Sequence, residues 1–104
     1  GQLNLSALRV LYDLLVDQTG SLGAQIGRAV VLAEAGDPGA AMDALEQIPR
    51  DRVERHQPWW VARARVAALA GNAALQRVAL LRAMDLTDDA AVRAFLETQI
   101  PGPD

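Results

Sequence analysis

The chain has 104 residues, 51% of them hydrophobic but only 4% aromatic, and a formal net charge of −3. That length suits one small domain and excludes two, and the acidic balance argues against a nucleic-acid-binding surface, which is normally basic. The absence of cysteine excludes disulfides, thiol catalysis and cysteine metal sites and is compatible with a cytoplasmic protein, while no apolar run nears the roughly 20 residues that span a bilayer.

Six helical segments are predicted in chain order. The first covers about Ser6 to Asp17, with Leu8, Leu11, Tyr12 and Leu15 at helical spacing. Thr19-Gly20-Ser21 ends it. The second runs from about Leu22 to Ala35, with Ile26, Ala29, Val30 and Ala33 on one face, and Gly36 stops it. Asp37-Pro38 opens the third. Asp supplies an N-cap acceptor, and Pro fits the first helical position because its missing N–H needs no partner there. This helix carries Ala41, Met42, Leu45 and Ile48, and Pro49 closes it.

The charged stretch Arg50 to Gln57 reads as the longest connection. Pro58 opens the fourth helix, which continues to Ala70 and stops at Gly71. Asn72 caps a fifth, containing Leu75, Val78, Ala79, Leu81 and Ala83. Leu86-Thr87-Asp88-Asp89 is a turn with an N-cap. The sixth helix runs from about Ala90 to Gln99, with Val92, Phe95, Leu96 and Ile100 expected inward. Residues 1–100 are expected to form a single domain and 101–104 a disordered tail. The chain begins Gly1-Gln2 without an initiating Met and is expected to be a segment of a longer protein. All ten Lys+Arg residues are Arg, which with the abundance of Ala reads as a GC-rich bacterial coding bias.

No segment alternates apolar and polar residues as a half-buried strand does. A core so poor in aromatics is filled by Ala, Leu and Val, which let helices approach closely. The predicted class is therefore all-α.

An internal repeat sets the architecture. Arg28-Ala29-Val30-Val31-Leu32-Ala33-Glu34-Ala35-Gly36-Asp37 aligns with Arg63-Ala64-Arg65-Val66-Ala67-Ala68-Leu69-Ala70-Gly71-Asn72 at an offset of 35, from Gly36 to Gly71. Helix, Gly turn, cap and second helix at this period resemble tetratricopeptide (TPR) repeats. The expected architecture is a TPR-like stack of three antiparallel helical hairpins. In that register Trp60, Ala64, Ala67 and Ala68 are packing residues, as are Ala29, Leu32 and Ala33 one repeat earlier. Gln76 stands where such repeats want a small residue.

The resemblance extends beyond the repeat. Leu11-Tyr12-Asp13-Leu14-Leu15, Arg28-Ala29-Val30-Val31-Leu32-Ala33-Glu34, Arg63-Ala64-Arg65, Leu81-Arg82-Ala83-Met84-Asp85-Leu86-Thr87-Asp88 and Arg93-Ala94-Phe95-Leu96-Glu97 follow in this order. The ordered set covers nearly the whole chain. It resembles the C-terminal TPR-like extension of a group of bacterial extracytoplasmic-function (ECF) RNA polymerase sigma factors. The chain departs from that group at Gly27, where Asn is usual, at Leu80, where an aromatic is usual, and at Val92, where Glu is usual. The last leaves Asp89 without the return arm of a capping box. The resemblance implies a regulatory domain that acts on transcription initiation. Its partner would be a protein: the sigma regions of the same polypeptide, RNA polymerase or a regulator, with no direct contact to nucleic acid and no membrane.

Chemistry-bearing residues are sparse. His56 is the only histidine, with Asp51 and Glu54 as weak companions for a metal, and it reads better as a solvated loop residue. Ser6 and Ser21 stand at helix starts, where capping explains them, and have no basic partner at motif spacing. Asp88-Asp89 reads as a capping pair. No acid–base or nucleophile set is visible, so neither an enzyme nor a cofactor is expected. Trp60 is expected in the core. Trp59 either packs on a neighbouring helix or anchors a partner. TPR geometry turns Ile26, Val30, Val61, Arg65 and Leu69 toward a concave groove, and these with Trp59 are the candidate partner-binding residues. An apolar groove with one Arg suits a helix or extended peptide. Alternatively the first helix or the tail fills it. A general TPR-like adaptor from an unrelated bacterial protein is the second reading of the chain.

Overall fold

The computed structural model describes residues 7, 8, 10, 11, 14–16 and 20–102. Those between 7 and 16 are helical, as expected for the first segment, although Leu11 is half exposed, and Tyr12 and Ser6 lie outside the described residues. From there six helices follow: α1 (Leu22–Glu34), α2 (Pro38–Gln47), α3 (Arg50–Val53), α4 (Gln57–Leu69), α5 (Ala73–Asp85) and α6 (Ala90–Thr98). Among the described residues there is no strand. The protein is all-α.

The caps form where the sequence placed them. Ser21, Asp37, Asn72 and Asp89 each accept a backbone N–H from the first turn of the helix that follows. Asp89 does so without a return arm, bonding Ala91 and Val92 at once. The two repeat turns are built alike. Gly36 and Gly71 take positive φ, 103° and 74°, a region in which an L side chain is strained. Asp37 N donates to Leu32 O and Asn72 N to Ala67 O, closing the same six-residue loop in each repeat. The residue that closes one helix thus caps the next.

Three-residue turns force α1 against α2 and α4 against α5 as antiparallel hairpins. The hairpins meet through α4, which packs on both α1 and α2, and α6 lies along α5. Small residues line these seams: Ala29, Ala41, Ala67, Ala79 and Ala83 are fully buried. Helix α4 buries Trp59, Trp60, Ala62, Ala64, Val66 and Ala67. These residues point around most of its circumference, as in a helix enclosed on several sides.

Two expectations change. The connection after Pro49 is not merely a linker, because it holds α3. Val53 on α3 is fully buried, and Ile48, extended and outside α2, is buried too. The sixth helix buries only Leu96. Val92 is 36% and Phe95 63% exposed, because no described element lies over that side of α6. On α5 the buried stripe is Ala79, Leu80 and Ala83, while Val78 and Leu81 face outward.

Candidate partner-binding groove

Within the hydrophobic core Trp59 and Trp60 meet edge to face, with ring centroids 4.8 Å apart at 90°. Neither indole N–H is left unpaired. Trp59 Nε1 donates to Leu45 O at 3.1 Å, and Trp60 Nε1 donates to Glu54 O at 3.0 Å. Trp59 is completely buried. It packs on α2 and is not the exposed anchor that one reading of the sequence allowed. Adjacent positions differ by about 100° around a helix. The two rings nevertheless share one core, because α2 covers the first and the end of α3 receives the second.

On the other side of α4 a shallow apolar hollow of about 380 Å³ opens toward α1. Ile26 and Val30 form one wall; Pro58, Val61 and Ala62 form the other; Gln57 and Arg65 stand at the rim. The two walls repeat, since Val61 lies 35 residues after Ile26, and Arg65 lies 35 after Val30. Ile26 is buried, Val30 and Val61 are half-buried and Arg65 is exposed. Four of the six candidate residues therefore border one hollow. Leu69 is 39% exposed but lines neither this hollow nor the next, and Trp59 is in the core.

A second hollow of about 320 Å³ continues from Val61 and Arg65 toward α6. Its floor is Ala64, Ala68, Leu80 and Leu96, and Phe95 stands at its edge with Gln76 and Gln99. Gln76 does not merely crowd a small-residue slot. Its Nε2 donates to Gln99 O at 3.2 Å and ties α5 to the end of α6. Arg77 Nη2 adds a bond to Pro101 O. The contribution of Phe95 follows the same 35-residue register, from Trp60, but burial changes along that register and only the neighbouring elements reveal it.

Arg65 reaches across to α1. Its Nε and Nη2 both bond Glu34 Oε1 at 2.8 Å. With half of the Arg65 side chain in solvent the pair adds little stability. It does set the charge at the rim of an otherwise apolar channel.

His56 is the N-cap of α4 and makes no side-chain cap bond. Among the described residues no three His, Asp or Glu side chains gather as metal ligands, and no helix is long and apolar enough to cross a membrane. Searches of family models, curated proteins and solved structures find no match to the chain.

Proposed function

We propose that this chain is the regulatory TPR-like domain of an ECF-type sigma factor, acting on transcription initiation by holding a protein segment in the α1–α4–α6 channel. The observation that carries the binding mode is the apolar hollow walled by Ile26 and Val30 on α1 and by Val61 on α4, with Arg65 at its rim. Such a channel takes the apolar face of a helix or extended segment. The sigma-factor assignment is supported by the ordered motif set from Leu11 to Glu97. That set nominates the sigma regions of the same polypeptide, or RNA polymerase, as the partner.

A tethered domain works at high effective concentration and needs little intrinsic affinity. The separately expressed sigma regions should accordingly bind weakly. Nuclear magnetic resonance titration of the labelled domain should shift Ile26, Val30, Val61 and Arg65, and Arg65→Glu should suppress those shifts. Shifts confined to α2 and α5, or an unchanged titration with the variant, would remove the channel from the function. Binding to unrelated amphipathic helices but not to the sigma regions would return the adaptor reading.

A further inference from the structure

A second feature lies on the far side of α4. Arg63 and Arg65 are two positions apart, about 200° around the helix, so Arg63 points away from the channel. It joins Arg50 from α3 and Arg82 from α5 around the tryptophan pair. Arg50 Cζ lies 4.9 Å from the Trp59 ring centroid and 5.4 Å from that of Trp60; Arg63 Cζ lies 5.1 and 5.9 Å from the same two, and Arg82 Cζ lies 6.0 Å from Trp60. One carboxylate serves the first two: Glu46 Oε1 pairs with Arg63, and Glu46 Oε2 pairs with Arg50 at 3.7 Å. Arg82 donates only a long bond, 3.3 Å, to Glu54 O. A guanidinium has five N–H donors, so most of those on Arg50 and Arg82 remain for an outside acceptor.

Stacking on the rings explains why the guanidiniums are held in place. It does not explain so much positive charge at one edge of an acidic chain. Arg50, Arg63 and Arg82 with Glu46 carry a formal +2, three arginines less one glutamate, where the whole chain carries −3, leaving −5 elsewhere. A long polyanion such as duplex DNA would run onto that negative remainder within a few Debye lengths of about 8–10 Å. A short acidic segment would not.

We propose that Arg50, Arg63 and Arg82 form a docking site for an acidic stretch of a partner protein. Glu46 shows the mode of recognition, a carboxylate shared between two guanidiniums held on aromatic faces. A partner's carboxylates repeat it at Arg50 and Arg82, as charge-assisted hydrogen bonds. The site lies on the opposite side of α4 from the channel and does not depend on what the channel holds.

The only tryptophans of the chain lie under this cluster, so intrinsic fluorescence reports on it directly. Hexaglutamate should produce a saturable, salt-sensitive change in emission from the 104-residue chain. The double variant Arg50→Gln/Arg82→Gln should weaken binding about tenfold or more, and Arg77→Gln, outside the cluster, should leave it unchanged. Thermal unfolding followed by circular dichroism confirms that each variant is folded. Arg50→Lys serves if the double variant is not: it keeps the charge, loses the planar fork and should weaken binding by a smaller factor. The proposal is overturned by an absent response, by equal binding to the Arg50 variants and the parent, by inorganic phosphate giving the same change at equal concentration, or by short duplex DNA binding more tightly than hexaglutamate.

Discussion

Trp60 at the start of α4 and Phe95 on α6 stand 35 residues apart in the same repeat register, yet one is 8% and the other 63% exposed. Each is an aromatic on a helix that follows a buried leucine, Leu45 in one repeat and Leu80 in the other. What separates them is the cover. Trp60 lies under the end of α3, whose Glu54 carbonyl takes its indole proton, and beside Arg82 of α5. Before α6 there is only the short turn from Leu86 to Asp89. Register places a side chain on a face, and the connecting segment decides whether that face meets water.

The strongest way to break this comparison is to delete the two rings in turn. Trp59→Ala or Trp60→Ala should cost about 3–5 kcal/mol in urea denaturation, as loss of a buried aromatic does. Phe95→Ala should cost less than about 1 kcal/mol, because little area leaves water there. Equal losses would mean that Phe95 is covered in solution. Next in size is the cover itself. Val53→Ala removes two buried carbons from α3 and should cost about 2 kcal/mol. A neutral result would reduce α3 to a decoration of the loop.

The shared turn chemistry gives a finer test. Asp37→Ala and Asn72→Ala each remove one capping acceptor and should cost about 1 kcal/mol apiece, by equal amounts if the repeats are built alike. Gln76→Ala should also cost about 1 kcal/mol, through the lost bond to the Gln99 carbonyl, with faster amide exchange confined to α6. The smallest effect has the opposite sign. A Cβ on Gly39, inside α2, would meet nothing closer than Asp37 Oδ1 at 3.8 Å. Gly39→Ala should therefore stabilise by about 0.5–1 kcal/mol, which thermal unfolding will register.

The elements that were legible in the sequence are those with local chemistry. Asp37-Pro38, Asn72 and Asp89 announced helix starts, Gly36 and Gly71 announced stops, and the hairpins followed. TPR geometry turned Ile26, Val30, Val61 and Arg65 to one side, and these four border one hollow, whereas Leu69 and Trp59 do not. What escaped was decided by distant residues. A four-residue helix with one apolar side chain, Val53, has no period to detect. Trp60 was expected in the core and lies there, but the choice between packing and exposure for Trp59 was open, because the cover that α2 gives it is set by residues outside α4. Likewise Phe95 repeats Trp60 in type and register, and only the missing cover sets it apart.

Helix α4 is where the packing of α1 and α2 joins that of α5 and α6. Stacked repeats ordinarily share their stability between neighbours and can fray from either end. Here fraying from the C-terminal side stops at the α4–α5 hairpin, since opening α4 exposes both tryptophans and removes the helix on which both α1 and α2 pack. The slowest-exchanging amides of α1, α4 and α5 should consequently report one common opening free energy, while α6 opens by itself at lower cost. The hollow on one side of α4 and the arginine cluster on the other therefore both border the helix whose opening governs whether the fold holds together at all.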